Sequence, residues 1–579
     1  MPDVVKPKIE VAGSELPPEI DALVEQVVVD DSHVLPDMFT LRFRDPEHIV
    51  LDRAGLAIGA KVRIFAGATG EAATVLLIFG EVTALEAEID ETGTHIVARG
   101  YDLTHRLQRG LNTRTFLDTN EADIVRRIAQ EARIDLGEVD DTPGNLPFVS
   151  QANQTNLEFL RSRAREIGFD LVMHGDKLNF QPPVSSSTAP QPGSLRSDDP
   201  LALVFGANLN AFLPRITAAE QVGTVEVRGW DPDNQKAVVA SAEASTTSVD
   251  GPLTPASVAR TFGESKFVVG DRPLHDDASV QRVANAVAEQ IGSAFAEADG
   301  VADGNPLLRA GTPISVAGVG KPFEGQYTIT ASRHVIGAGG YRTHFTVSGR
   351  QERSLLGLAS IGGTAGGASA GGEPIYGVVV GVVTQCGDPT GAGRVKLSFP
   401  WLSDDYESDW ARLVAPGAGT GRGVAFVPEV QDEVLVAFER GDVRSPFVLG
   451  GLWSTQNTPP QVDSLIRGGA VDQRILQSRN GHSVILSDSS GADGISLVSQ
   501  DTTMSVAVNV GTNTVELKAP NCTIDMKSDG SVSIKAMQLE LSATSISIKA
   551  DGTLSLSGAS VTISSSGPAS ISGTPLALN

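Results

Sequence analysis

The sequence predicts an α+β first half, then a small all-β barrel, then a tail of short stacked strands. Three observations carry that reading. Capped helical periods stand among alternating runs up to about residue 350. Alternating runs separated by Gly, Pro and Asp turns fill residues 375–453. Beyond Trp453 there is no aromatic residue, and the short apolar runs there slip in parity from one to the next. A length of 579 residues fits three to five domains at roughly 100–200 residues each.

In the first half, Asn120 opens a helix whose apolar positions Ile124, Val125, Ile128, Ala129 and Ala132 follow the 3.6-residue period, with Asp123 placed to complete a cap. Thr155 and Glu158 form a capping box ahead of Leu157, Leu160, Ala164 and Ile167, and Gly168 ends that helix. A third helix is predicted over 277–299, with Val280, Val283, Val287, Ile291 and Phe295 on one face and Gly300 as its stop. Residues 39–43, 224–228 and 344–347 alternate as strands. The Pro-, Ser- and Gln-rich stretch 181–196 reads as a loop or a seam between subdomains. Near Gly362 the composition changes to GGTAGGASAGGEP, which offers no side chains for a core and reads as a flexible linker. The major boundary is placed there.

The barrel rests on Arg394 to Phe399 and Glu433 to Phe438, both alternating at period 2 between turns. In the tail the apolar runs are Val532, Ile534, Ala536; then Met537, Leu539, Leu541, Ala543; then Ile546, Ile548, Ala550; then Leu554, Leu556; then Ala559, Val561, Ile563. Each run has one apolar face and one Ser, Thr or Lys face, and none closes a core alone, so the runs stack along an axis. A narrow interior of small aliphatics fits a β-helix. A single-chain solenoid is the alternative, without a clear repeat near 20 residues to support it.

Composition narrows the function classes. Lys+Arg 45 against Asp+Glu 70 gives a net charge of -25, and no local basic patch offsets it, so nucleic acid is not an expected partner. Cys386 and Cys522 are too few for a disulfide framework or a cysteine metal cage. The first twenty residues lack a basic segment followed by an apolar run, and the apolar stretches 72–79 and 375–383 are less than half a membrane span. Synthesis in the cytoplasm without a signal peptide is therefore expected.

The segment 394–453 resembles the OB-fold domain of VgrG-type spike proteins and of central spikes of contractile phage tails. The resemblance is carried by Phe399, Pro400 and Trp401; Trp410, Ala411 and Arg412; Gly417, Gly423 and Phe426; Pro428 and Glu429; Asp432, Glu433 and Val434; Phe438; Gly441 and Asp442; Pro446; Gly450 and Gly451. Gln431 departs from it, standing where the family usually has glycine. Residues 1 to about 350 resemble the hub of the same proteins through Phe39 to Asp45, YDLTHRLQRG at 101–110, LEFLRSRAREIGF at 157–169, AGTPISVAGV at 310–319 and FEGQYTIT at 323–330; QSRNGHSVILSDSSG at 477–491 resembles the strand opening the spike.

The resemblance implies an α+β hub of barrel-like subdomains, an all-β OB-fold and a C-terminal triple-stranded β-helix in an intertwined homotrimer. Two barrel-like subdomains per chain would give a pseudo-sixfold ring. The boundaries expected are 1–190 and 191–353 for the two hub subdomains, 354–374 for the linker, 375–455 for the OB-fold, 456–476 for a connector and 477–579 for the spike. The implied role is a central hub and spike that docks on a hexameric inner tube and punctures a target envelope. Its implied partners are itself, the inner tube protein, baseplate proteins, a PAAR-like tip protein and effector cargo, with transient contact to the target membrane. The setting read for it is an assembled, extracellular phage-tail-like particle, with type VI secretion and a true phage tail as alternatives.

The search for chemistry gives no catalytic residue, cofactor or metal site. Gly367-Ala368-Ser369-Ala370-Gly371 matches GxSxG, but a nucleophile elbow needs a strand before the serine and a helix after it, and this serine stands in the glycine linker. His334 and His344 are read as facing strand surfaces or turns, and no histidine follows His482. Glu429, Asp432 and Glu433 are read as turn-capping, solvated or chain-binding carboxylates. Only 454–466 separates barrel from tail, too short for an inserted lysozyme domain. A spike with hydrolytic activity and a trimeric receptor-binding fibre are the rival readings. The C-terminal Pro575, Leu576, Ala577, Leu578 and Asn579 would form, in three copies, a flat apolar platform for the tip protein.

Overall fold

The computed structural model describes residues 6–68, 74–91, 93–142, 146–193, 198–231, 234, 236–270, 274–350, 375–460 and 465–577. They fall into two compact units, Met1–Leu452 and Trp453–Asn579.

The spine of the first unit is an eleven-stranded sheet. Its order is Leu209–Ile216, Ala296–Asp303, Gly340–Val347, Ala331–Gly337, Val24–Ser32, Met38–Arg44, Gly93–Asp102, Val75–Asp90, Lys61–Ala66, Lys8–Val11 and Ser14–Glu15. Phe39, Leu41 and Phe43 alternate inward with Val62 and Ile64 to build one core. Ala298, Phe345 and Val347 join Leu203, Ile314, Val316 and Tyr327 of a four-stranded sheet in another. The boundary expected at residue 190 therefore separates chain segments that share one sheet: Ala331–Gly337 hydrogen-bonds along Val24–Ser32. Arg309 clamps the same seam, its Nε donating to Asp31 at 2.7 Å and its Nη1 to the Leu76 carbonyl at 3.2 Å.

Each half of the hub carries a small α/β layer. In the first, Lys177–Gln181 pairs antiparallel with Asp170–His174 and parallel with Asp135–Val139, packing with helices Glu121–Ala132 and Asn156–Ile167. Both helix starts follow their sequence signals. Asn120 accepts the Asp123 amide, Thr155 and Glu158 close a capping box, and Gly168 ends its helix at φ 76°. In the second, Thr224–Asp231 pairs antiparallel with Lys236–Glu243 and parallel with Lys266–Val269, packed on helix Asp277–Ser293.

That last helix stops at Ser293 rather than at Asp299, and Ala296–Asp303 is a strand. The deciding signal is the period-2 placement of Ala296, Ala298, Gly300 and Ala302. Gly300 is needed for ring space, because a Cβ there would lie 2.1 Å from Cζ of Phe345. The stretch 181–196 contributes a seam in its described part: Gln326 Nε2 donates to the Ala189 carbonyl at 2.7 Å and the Ser186 amide to the Thr247 carbonyl at 2.8 Å. His334 is a correction too, since it is 1% exposed. Its Nδ1 lies 2.8 Å from the Tyr341 hydroxyl and its Nε2 3.2 Å from Ser332 Oγ, polar partners that let an imidazole sit in the core. His344 lies on the exposed face of its strand.

The OB barrel has strand order Lys396–Ser398, Val378–Gln385, Glu433–Phe438, Pro446–Gly451, Arg412–Leu413. A bridge from Val395 to Ala411 joins the two edge strands and closes the ring. The major boundary expected near Gly362 is not where the chain divides: the barrel belongs to the first unit, because Phe148 and Ala152 of the hub share its core with Val383, Leu397 and Val436. The glycine-rich stretch 354–374 lies outside the described residues.

In the second unit, seven strands follow one another as an antiparallel meander: Gln473–Gln477, Ser483–Ser487, Gly494–Val498, Ser505–Asn509, Thr514–Ala519, Cys522–Lys527 and Val532–Ala536. Residues 537–577, expected to continue as stacked strands, make no strand within the chain. A run with one apolar face and no neighbour to pair with has nothing to fix it as a strand.

Candidate functional site

The barrel signature divides by role. Phe399 is fully buried and gathers Trp401, Tyr406 and Phe438 at ring-centroid distances of 5.9, 5.7 and 5.5 Å. Pro400 turns the chain after it, so that the half-exposed Trp401 donates its Nε1–H to the Val380 carbonyl at 2.8 Å. Trp410 takes Lys396 over its ring at 5.5 Å, and Arg412 covers Phe447 at 5.7 Å. Gly423 is obligatory, because a Cβ there would lie 2.2 Å from the Gly417 carbonyl oxygen. Gly450 and Gly451 end the strand Pro446–Gly451.

Glu429 and Asp432 form a turn rather than an acid–base pair, and Glu433 opens the strand Glu433–Phe438 that follows. Asp432 Oδ2 accepts the Glu429 amide at 2.8 Å, the Asp432 amide returns to the Glu429 carbonyl at 3.0 Å, and Pro428 leads into the turn. Gln431 at the apex has φ 76°. The left-handed conformation is the reason for a glycine at this place, and here a side chain bears it.

Gly441 and Asp442 act through a neighbour that sequence reasoning missed. Asp442 accepts from Arg444 at its backbone N (2.9 Å), at Nε (3.1 Å) and at Nη2 (2.8 Å). Burial alone would raise the Asp442 pKa, but the Arg444 charge and hydrogen bonds outweigh it and hold the carboxyl below its ordinary value. Arg444 in turn lies 3.8 Å from Glu166 on helix Asn156–Ile167 of the hub. Glu166 binds Arg163, and Arg163 is buried against Glu121. With Ser150 Oγ 3.3 Å from the Tyr406 hydroxyl, this ionic chain bolts the barrel to the hub. Its only sequence signal was the hub motif at 157–169, which contains Arg163 and Glu166 but does not point to Arg444.

The tail sheet places two apolar columns on one face. Register aligns Leu476, Val484, Leu497, Val506, Leu517, Ile524 and Ile534 in one column, and Leu486, Ile495, Val508, Val515, Met526 and Val532 in the other. Most of these stand open: Leu497 is 49% and Ile534 50% exposed. A concavity of about 550 Å³ on this face is lined by Val484, Leu497, Val506, Leu517 and Ile524. The opposite face carries Ser496, Ala507, Glu516, Asp525 and Ser533 in its middle column. Pro575, Leu576 and Ala577 are exposed, Leu576 by 51%. Leu578 and Asn579 lie outside the described residues, as does Ser369. Among the described residues, no group of three or more His, Cys, Asp or Glu is placed to hold a metal ion.

Residues 2–338 match the family described as the Alg8 N-terminal domain, and 379–453 match the Type VI secretion system/phage-baseplate injector OB domain. The Type VI secretion system spike protein VgrG3 of Vibrio cholerae is 38% identical over 72 residues, 12% of this chain and 7% of that protein. A second V. cholerae protein, the Actin cross-linking toxin VgrG1, is 36% identical over 72 residues, again 12% of this chain and 7% of the relative. These matches thus span a small fraction of the relatives' length. A solved Francisella PdpA-VgrG complex, half-lidded, superposes at TM-score 0.51 and 10% identity, covering 93% of this chain and 89% of that chain, which shows a shared fold.

Proposed function

The chain belongs to the Alg8 N-terminal domain family through residues 2–338 and is a VgrG-like hub, and from that premise we propose that it forms, as a homotrimer, the central hub and spike of a contractile phage-tail-like injection system. The hub, residues 1–353, docks on the hexameric inner tube. The barrel, 375–455, carries the axis forward, and the spike, 477–579, leads the puncture of the target envelope. The role is mechanical, without a chemical step.

The observation that carries this reading is the pair of open apolar columns in the tail, followed by residues 537–577 with no strand partner among the described residues. Three copies turning those columns inward would bury them, and the alternating runs after Ala536 would pair between chains as a triple-stranded β-helix. Continuous inter-strand hydrogen bonds suit an element loaded along its axis. Pro575, Leu576, Ala577, Leu578 and Asn579 would then form the platform for a PAAR-like tip protein. The inner tube protein, baseplate proteins and effector cargo are the other partners. The chain would be made in the cytoplasm and work in an extracellular particle.

Light scattering coupled to size exclusion tests the central point. The expected mass is about three times 60.4 kDa. A monomer at micromolar concentration sinks the reading.

A further inference from the structure

Three segments far apart in the chain meet where the large sheet of the hub borders the first α/β layer. His33 follows the strand Val24–Ser32, and its amide donates to the Thr330 carbonyl at 3.1 Å. His174 closes the strand Asp170–His174. Gly311 belongs to the second half: its amide donates to the Ile329 carbonyl at 2.8 Å, and the preceding Ala310 amide donates to Asp31 Oδ1 at 3.2 Å. A Cβ at Gly311 would lie 3.1 Å from Nε2 of His33 and 3.9 Å from Nε2 of His174. Apart from Gly311 and its chain neighbours, the three heavy atoms nearest to that point all belong to these two rings. The φ of 84° calls for glycine by itself, and without a side chain there both ring nitrogens face one small space.

The state of His33 fits a ligand in that space. Its Nε2 is buried and has no hydrogen-bond partner among the described residues, which is uncommon for a ring nitrogen away from water. Its Nδ1 lies 3.8 Å from Asp170 Oδ2. A carboxylate on that side holds the ring proton on Nδ1 and leaves the Nε2 lone pair bare, the arrangement in which an imidazole binds a metal ion. Asp170 is fixed in turn by Arg350, whose Nη2 donates to Oδ1 at 2.7 Å. Charge permits a cation here. Arg309 is matched by Asp31 at 2.7 Å and Arg350 by Asp170, while Glu138 adds negative charge at His174.

We propose that His33 and His174 bind a divalent transition-metal ion of the zinc class through their Nε2 atoms, over Gly311, with water filling the remaining coordination positions. Zinc–imidazole bonds of about 2.0–2.1 Å require the two nitrogens to close on the ion. His174 makes that movement, because it stands exposed while His33 is held in place. Imidazole selects zinc, nickel or copper over magnesium and calcium, which prefer oxygen ligands. Two protein ligands make an exchangeable clip rather than a closed structural site. The clip ties the first α/β layer to the end of the strand Val24–Ser32, beside the segment 309–311 of the second half. Each chain carries it whole, so it does not depend on the trimer.

The test is calorimetric titration of ZnCl2 into the full chain carrying Cys386→Ser and Cys522→Ser, which removes the thiols as rival ligands. The same chain is compared with His33→Ala, His174→Ala or His344→Ala added. The parent and the His344→Ala protein should each bind one Zn(II) per chain, and His33→Ala and His174→Ala should each weaken that binding at least about tenfold. Zinc should also raise the melting temperature of the parent and not that of the His174→Ala protein. His174 is exposed, so its replacement keeps the fold and carries the test even if His33→Ala does not fold. Absence of binding in the parent, or equal affinity in the His174→Ala protein, overturns the site. Excess MgCl2 should leave the zinc in place; displacement by magnesium would assign the ion to the carboxylates and overturn the histidine pair.

Discussion

Replacing His334 by Gln should remove an acid sensitivity from the hub. The imidazole is 1% exposed, and burial, the largest influence, lowers its pKa from 6.5 to about 3. Folded, it is neutral at pH 5, whereas in the unfolded chain it is protonated. A group with a depressed folded pKa leaves stability intact above 6.5 and withdraws it as pH falls from 6.5 towards 3. At about 1.4 kcal/mol per pH unit, the loss between pH 7 and pH 5 is about 2 kcal/mol per chain. His174 titrates with the same sign, its pKa lowered by burial first and by the nearby Arg309 charge second. Asp37, pushed well above the ordinary carboxylate range by burial and by Asp31 and Asp102, works in the opposite sense. Comparing wild type with His334→Gln cancels both. Gln keeps hydrogen-bonding capacity toward Tyr341 and Ser332 but does not titrate. The assay is denaturant unfolding at pH 7 and pH 5 at one fixed chain concentration. Wild type should lose about 2 kcal/mol more than the variant across that interval, with unchanged denaturant slopes. Equal losses would show that the imidazole is not held neutral, and the argument from burial would fail.

Three further substitutions probe the barrel and the tail. Gln431→Gly should stabilise the barrel by about 1 kcal/mol, because it removes a side chain from a left-handed turn position; calorimetric melting would show an upward shift, and a downward one would deny the strain. Arg444→Ala leaves the buried Asp442 carboxylate without its cation and should destabilise the hub–barrel joint by about 3 kcal/mol, with part of that recovered when Asp442→Asn is added; additive losses in this double-mutant cycle would mean the charges do not interact. Val506→Asp places a charge in the open apolar column and should lower the trimer fraction measured by light scattering without altering the melting of the hub, whereas Ala507→Asp on the opposite face should leave the trimer fraction unchanged.

What could be read from the sequence was local chemistry. The cap at Thr155, the stop at Gly168 and the alternation of Glu433 to Phe438 each depend on residues within a few positions, and each appears as expected. The VgrG-like assignment also held, since it rests on an ordered set of turn glycines, prolines and aromatics. The misreadings involve partners far along the chain. Gly300 looked like a helix stop because its neighbour Phe345 is 45 residues away, and only the sheet brings the ring over it. His334 looked like a surface residue because its nearest partners sit across a hairpin. The link from Arg444 to Glu166 joins two domains, so neither sequence neighbourhood hints at it. The open columns of the tail were foreshadowed by parity alone, yet parity cannot supply strand partners to residues 537–577.

The meander of the tail makes its length adjustable in steps of two. Each strand reverses the chain direction, so losing one strand would send everything after it the wrong way and turn later side chains onto the wrong face. Losing an adjacent pair, such as Gly494–Val498 with Ser505–Asn509, restores both direction and facing, and sets Leu486 and Val484 beside Val515 and Leu517 in continuous columns. At about 4.8 Å per strand, one such deletion shortens the tail by roughly 10 Å. Insertions and deletions in hairpin units are thus the changes this architecture tolerates, and reach becomes a quantity that heredity can tune without redesigning the interior.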